Sequence, residues 1–187
     1  MVRRDTRTAI LDAAVAILGR DGPDGFSASA LAREVGVSKA TLFHHFGSID
    51  EIPLAAFERM ISMAMDFERP MDVSLGAIIA GMGARNVAMI DERRNEIRAY
   101  FVFLARAMFD PKLAALVHRS GDTLLAQMRA LLRPHTGSDA EAATLARLVA
   151  IFLDGLAVHL MAFDDPAEIE SAWKLLARLI DPERKEK

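Results

Sequence analysis

The sequence predicts an all-α protein of about nine helices, with a three-helix N-terminal domain over residues 1–52 and a larger helical domain over residues 53–187. Three observations predict it. Hydrophobic residues make up 52% of the chain but aromatics only 6%, so Ala, Leu, Met and Ile carry the apolar content, which favours helix over sheet. Apolar residues recur with a helical rather than an alternating period. The breaks between periodic stretches are capping residues, glycines and prolines. A chain of 187 residues is long enough to bury a proper core.

The elements follow in order. Ile10, Ala13, Ala14, Ile17 and Leu18 recur at i, i+3, i+4, i+7 and i+8, one apolar helix face that "GRDGPDG" terminates. Ser27 is placed to cap a short helix through Glu34. Gly36 supplies a sharp turn, because glycine enters the left-handed region at little cost. Ser38 caps the next short helix, to about His45, which Phe46-Gly47 closes. Ser48 to Glu51 has capping-box spacing and opens a longer helix to about Arg69, with Pro53 in its first turn. Asp72 to about Ile90 carries the next pattern, "DERRN" connects, and Glu96 to Met108 follows. Asp110-Pro111 is a cap followed by proline at the first helical position, opening a helix to about Leu132. Ser138 to Glu141 is a second capping box before a helix to about Phe163, and Asp165-Pro166 starts the last one, to about Ile180.

Composition excludes several classes. The net charge is −3, so the molecule is no polycation. It has no cysteine, which removes disulfides and thiolate metal sites. No uninterrupted apolar run approaches the roughly 18 residues of a membrane span. "MVRRDTRTAILDAAVAI" has basic residues before an apolar stretch, but Asp5, Asp12 and the helical spacing argue against a signal peptide. The reading is a soluble, cytoplasmic protein without membrane partners.

Two short helices joined by a tight glycine turn make a helix-turn-helix, whose second helix can enter the major groove of double-stranded DNA. Ser38, Lys39 and Thr41 lie in its first turn, where backbone N–H groups favour phosphate, and Ser27 does the same for the preceding helix. Arg3, Arg4 and Arg7 can reach flanking phosphate or a minor groove as an N-terminal arm. Leu31, Val35, Val37, Leu42 and Phe46 are the apolar residues expected to hold the unit together.

"FSASALAREVGVSKATLFHHFGSIDEI" resembles the DNA-binding region of the tetracycline-repressor (TetR/AcrR) family of transcriptional regulators. The likeness spans residues 6 to 57 and rests on Ser27, Leu31-Ala32, Val35 to Ser38, Ala40, Thr41 to Phe43, His45-Phe46 and Ser48 with Glu51-Ile52. More weakly, "FLDGLAVHLMAFDDPAEIE" resembles the last two helices of a subgroup that includes choline-responsive repressors. The resemblance implies a homodimer on a palindromic operator. It also implies that Ser38, Lys39, Ala40, Thr41, Phe43, His44 and His45 line the groove or its phosphates. His44 falls at the family's variable position and is the candidate base reader; Ala40 is small enough to approach a base or meet a thymine methyl. Phe43 stands where the family has a tyrosine hydroxyl, and Ile49 where it has a lysine. Residues 1–52 hold six Arg/Lys and seven Asp/Glu, a net of −1, which predicts weak non-specific DNA binding.

The larger domain is apolar and rich in methionine, a flexible and polarizable pocket liner as well as ordinary core filler. Its candidate small-molecule effector site is drawn from Met63, Phe67, Arg85, Met89, Tyr100, Phe103, His118, Met128, Phe152 and His159. Apolar lining with Arg and His suits an amphipathic or anionic molecule, while the subgroup resemblance points towards a quaternary ammonium compound. Asn86, Arg98 and Gln127 are further polar residues among these helices. His118 and Asp122 share a helix face, spacing that suits a salt bridge better than a metal pair, and no third ligand is evident. No nucleophile elbow, phosphate loop or paired carboxylates appear, so the sequence indicates neither enzyme, cofactor nor metal site. Gly81, Gly83 and Gly155 offer close helix contact. The last two helices carry more apolar surface than one thin bundle needs, and the resemblance places Leu148, Leu156, Trp173 and Leu176 in a dimer interface. The alternative reading is a helical small-molecule-binding or interaction protein whose DNA-binding unit has degenerated.

Overall fold

The computed structural model describes residues 5–64, 73–90, 92–163 and 165–181. Among them are nine α-helices, one 3-10 turn and no strand. The helices are α1 (Thr6–Asp21), α2 (Ala28–Val35), α3 (Lys39–His45), α4 (Glu51–Ala64), α5 (Leu75–Met89), α6 (Arg94–Ala107), α7 (Pro111–Leu132), α8 (Asp139–Phe163) and α9 (Pro166–Ile180); the 3-10 turn η1 is Arg133–His135. The all-α class and the element order match the sequence pattern.

Most starts are set by the expected side chains. Ser27 Oγ accepts the Ala30 N–H at 3.1 Å, Ser38 Oγ that of Thr41 at 3.0 Å, and Asp165 Oδ1 that of Glu168 at 3.1 Å. Asp110 Oδ1 accepts from Lys112 at 2.9 Å and Leu113 at 3.2 Å, ahead of Pro111. Both capping boxes close one residue early. The Glu51 and Glu141 carboxylates reach back to the N–H groups of Gly47 and Gly137, at 3.1 and 2.8 Å, rather than to those of the serines. An amide without a Cβ leaves room for that longer reach. Ser138 still accepts from Glu141 at 3.1 Å, whereas α4 begins at Glu51, after a turn over Ile49 and Asp50. α5 is capped by Ser74, whose Oγ accepts the Ala77 N–H at 3.2 Å. α6 begins two residues before the expected Glu96, so part of the charged connection is helical. The expected end of the fourth helix near Arg69 and the start of the fifth at Asp72 lie outside the described residues.

The chain forms two compact units. The first holds α1 to α4, α6 and the first half of α7. Ile10, Ile17, Leu31, Leu42, Ile52 and Phe103 are completely buried in its core. α1 sits among α2, α4 and α6, which is why it buries Leu11 and Gly19 beyond the predicted stripe. Gly19 lies so close to α6 that a Cβ there would fall 1.9 Å from the carbonyl oxygen of Asn95. Arg59 of α4 donates to Asp12 of α1 at 2.9 Å.

The second unit holds α5, the second half of α7, η1, α8 and α9. α9 packs on α5 through Trp173, which is 5% exposed and whose Nε1–H donates to the Ile79 carbonyl at 2.6 Å. Gly83 makes room for the indole, whereas Gly81 and Gly155 face open space within the chain. Asp181, just past α9, accepts the Gly76 N–H of the first turn of α5 at 2.8 Å. α8 buries Ala142, Ala146, Val149, Leu156 and Leu160 on one face. Its opposite face exposes Leu148, Ile151, Phe152 and Val158. Apolar on both faces, α8 is long and hydrophobic enough to cross a membrane by length and composition, which the count of uninterrupted apolar residues missed because Arg147 and Asp154 interrupt it.

Candidate functional site

The site is built from α2, the turn and α3. Gly36 takes φ 75° and ψ 31°, and the N–H groups of Gly36 and Val37 both turn back to the Ala32 carbonyl, at 3.0 and 2.9 Å. That closes α2 within two residues and redirects the chain. Leu31, fully buried, and Ala32 on α2 and Leu42 on α3 lock the pair onto the core. The Ser38 hydroxyl, 2.8 Å from that of Thr41, fixes the start of α3. Phe46, 4% exposed, fixes its end.

Such anchoring decides what α3 presents. With Leu42 and Phe46 turned inward, a helix of 3.6 residues per turn puts Ala40 and His44 on the opposite ridge. Ser38, Lys39, Ala40, Phe43 and His44 are exposed, and Thr41 and His45 are half-buried on the flanks. Ser27 is exposed at the start of α2. The expected groove-lining residues of α3 therefore lie together at one surface. Arg3 and Arg4 lie outside the described residues. Arg7 places its guanidinium 5.0 Å from the centroid of the Phe46 ring, bracing the end of α3 by a cation–π contact. Ile49, where a lysine was expected from the resemblance, is a core-packing residue here.

Charge around the site is partly neutralised within the protein. Arg20 donates to Asp21 at 2.8 Å and to Glu34 at 3.1 Å, tying α1 to α2. Hydrogen bonding to Arg20 holds both carboxyls below their ordinary range, and raises the pKa of Arg20 further above its usual high value.

The expected effector residues are divided between the two units. Phe103 belongs to the first core, edge-on to Phe57 with ring centroids 5.2 Å apart, and Tyr100 stacks on the same ring at 6.4 Å. Met128 is 1% exposed and Met89 half-buried. Arg85, His118, Phe152 and His159 are exposed, the last with its ring 4.9 Å from that of Phe163. Phe67 and the side chain of Met63 lie outside the described residues. The amide oxygen of Gln127 is buried with no hydrogen-bond partner among the described residues. An open groove of about 490 Å³ between α5 and α9 is lined by Ser74, Ala77, Lys174, Arg178 and Asp181 among others, and by none of the expected ten. No group of three His, Asp or Glu with metal-binding geometry occurs among the described residues.

The expected dimer residues divide as well. Leu148 is exposed and Leu176 half-buried, but Leu156 and Trp173 are spent inside the chain, Leu156 on the α8 core face and Trp173 against α5. The exposed large apolar residues of α8 and α9 are Leu148, Ile151, Phe152, Val158, Phe163, Leu175 and Leu179.

A capped helix-turn-helix with a bare second helix defines a DNA-binding regulator. Residues 10–56 match the model of bacterial regulatory proteins of the tetR family, and residues 81–184 that of the C-terminal region of BetI-type transcriptional repressors. The chain belongs to the TetR family of transcriptional regulators, with a C-terminal region of the BetI type. It is 26% identical to the HTH-type transcriptional regulator BetI of Agrobacterium fabrum, over 96% of this chain and 88% of that one. A transcriptional regulator of Rhodococcus sp. Rha1 shares the fold with a TM-score of 0.81 at 23% identity, covering 94% of this chain and 96% of its own. So does a regulator of Saccharomonospora viridis solved in complex with choline, with a TM-score of 0.77 at 18% identity and coverages of 97% and 98%. Regulators of this family bind operator DNA and small-molecule effectors and act as dimers.

Proposed function

We propose that this chain is a homodimeric cytoplasmic repressor. Residues 1–52 read a palindromic operator through α3, and residues 53–187 take up a small-molecule effector and form the dimer. The observation that carries the reading is the bare outer surface of α3, from Lys39 to His44, on a helix whose inward residues are all committed to the core. The mating surface is the outer side of α8 and α9, centred on Ile151, Phe152 and Leu175. Scattered single apolar residues are normal on a protein surface, but α8 exposes four of them, Leu148, Ile151, Phe152 and Val158, on the side away from its core. A two-fold dimer would set its recognition helices about 34–36 Å apart, matching successive major grooves.

Effector binding shifts the dimer away from the geometry that fits the operator, by as much as its affinities for the two geometries differ. The BetI-type C-terminal region and the choline-bound relative support a quaternary ammonium effector. The chain acts by binding, with no catalytic step.

Selection of the purified protein on random duplex DNA tests the reading. A two-fold symmetric consensus is expected, and Lys39→Ala with His44→Ala should abolish its binding while the fold is retained. Undiminished specific binding by that double variant removes α3 as the reader. A second reading, a ligand-binding protein with a degenerate DNA unit, is favoured by the bare Phe43, by Ile49 turned to core packing, and by the net charge of −1 over residues 1–52. It predicts effector binding without any enriched duplex.

A further inference from the structure

The second half of α7 is packed unlike the other helices of its unit. α5 lies close against α9 and α8, and α8 against α9, but α7 comes as close to none of the three. Its inner face is covered all the same. Met128 and Leu132 are buried and Leu124, Gln127 and Leu131 half-buried, spaced three and four apart on one side of the helix. Helices in direct contact have axes about 8–10 Å apart. This face is therefore buried across a wider gap, bridged by side chains rather than closed by backbone.

Gln127 is the polar residue among those five. Its amide oxygen is buried, and among the described residues it is the one buried side-chain nitrogen or oxygen without a hydrogen-bond partner. Other polar donors of the unit are committed elsewhere: Asn86 Nδ2 donates to the Met82 carbonyl at 2.9 Å and Trp173 Nε1 to the Ile79 carbonyl at 2.6 Å. An amide oxygen has two lone pairs to fill, and leaving them empty away from water costs more than a typical hydrogen bond contributes. An acceptor held this way beside a gap is suited to a donor that arrives with a ligand. Small-molecule sites are mostly apolar and fix orientation with a few polar groups placed in this manner. Leu124, Met128 and Leu131 supply the apolar surround, and Gln127 the acceptor.

The acceptor also narrows the ligand. A quaternary ammonium nitrogen carries no N–H, so its charge alone gives the Gln127 oxygen no hydrogen bond. The bond must come from a second group on the same small molecule. We propose that Gln127 is a specificity-determining residue of the effector site: its side-chain oxygen accepts a hydrogen bond from the effector, which is a small cation that also bears a hydroxyl. This rests on the effector reading proposed above.

The test is calorimetric titration of the full-length protein with choline and with ethyltrimethylammonium, which share one skeleton and differ by the hydroxyl. The parent should bind choline about tenfold more tightly, the worth of one hydrogen bond to a buried acceptor. Gln127→Met keeps the length and shape of the side chain without the acceptor. In that variant the preference for choline should vanish, while the ligand-free Tm holds or rises because no orphan oxygen remains. If Gln127→Met lacks the parent's helix content by circular dichroism, Gln127→Ala takes its place with the same expected loss of preference. Equal affinity of the parent for the two cations overturns this inference alone. So does a preference for choline that survives in the variant, or a Tm of Gln127→Met more than about 5 °C below the parent, which would show that the oxygen has a partner within the protein. Binding of neither cation at up to about 10 mM overturns the quaternary ammonium reading, and the inference with it.

Discussion

Gly83→Ala tests the packing of α9 on α5 with a built-in control. The added methyl carbon would stand 1.9 Å from Trp173 Cδ1 and 2.1 Å from its Nε1. Carbon atoms in contact sit about 3.5–4.0 Å apart, so the indole must withdraw by more than 1.5 Å or so. It cannot do so and keep its 2.6 Å hydrogen bond to the Ile79 carbonyl. Overpacking of a filled core costs about 1–3 kcal/mol and a lost buried hydrogen bond about 0.5–1.5 kcal/mol. Alanine returns roughly 0.5–1 kcal/mol through helix propensity. The net is about 2–3 kcal/mol of destabilisation, and at about 2–4 °C per kcal/mol for a chain of this size Tm falls by roughly 4–12 °C. Gly81 lies two residues away on the same helix with nothing within 4 Å, so Gly81→Ala should keep only the propensity gain and raise Tm by a few degrees. Both variants and the parent are to be melted at one protein concentration, followed by circular dichroism, because dimerisation makes Tm concentration-dependent. A Gly83→Ala protein as stable as Gly81→Ala would show that the indole does not occupy that space, and the α5–α9 packing described above would be wrong.

Gly19→Ala drives a methyl into backbone, the Asn95 carbonyl at 1.9 Å, and should cost about 2–4 kcal/mol in denaturant unfolding; a neutral result means that α1 and α6 do not approach so closely. Ile151→Glu puts a charge at the centre of the exposed stripe of α8 and should weaken self-association roughly 100-fold, converting dimer to monomer by light scattering with helicity unchanged. An intact dimer would move the interface elsewhere. Arg20→Gln tests the α1–α2 tie. Asp21 and Glu34 have depressed pKa values in the folded chain, so their contribution is present above the unfolded carboxylate pKa and lost as pH falls through the folded one. The Tm gap between parent and Arg20→Gln should therefore be full at pH 6 and shrink towards pH 3; a gap that grows on acidification refutes the pairing.

Local chemistry was legible in the sequence, and long-range pairing was not. A serine followed by a helical stretch, an Asp-Pro pair or a glycine after a valine act within a turn of the backbone, so Ser27, Ser38, Asp110, Asp165 and Gly36 could be placed from their neighbours alone. That Leu42 and Phe46 pack inward could be expected from their apolar character, whereas the residues expected to meet DNA came from the family resemblance and not from any spacing in the chain. Trp173 was expected at the dimer interface because an apolar stripe looks the same whether its partner is another helix of the chain or another copy. The signal available was Gly83, a small residue in a helix that needs a reason to be there. Phe103 and Met128 carry the same ambiguity between pocket lining and core, and both are buried. Arg85, His118 and His159 are polar residues in apolar helices, and each is exposed. No periodicity announces that Glu51 and Glu141 skip the serine amide for the glycine before it; a glycine ahead of a capping box is the cue to look for.

The hydrogen bond from the Gly76 N–H to Asp181 joins residues 105 apart. During synthesis at about 5–20 residues per second, Gly76 emerges some 5–20 s before its acceptor exists. Over that interval α5 has neither the Asp181 carboxylate at its start nor the Trp173 indole along its side, and its glycine-lined face stays wet. A truncation before Asp181 should therefore leave α5 without one of its caps however intact the preceding chain is.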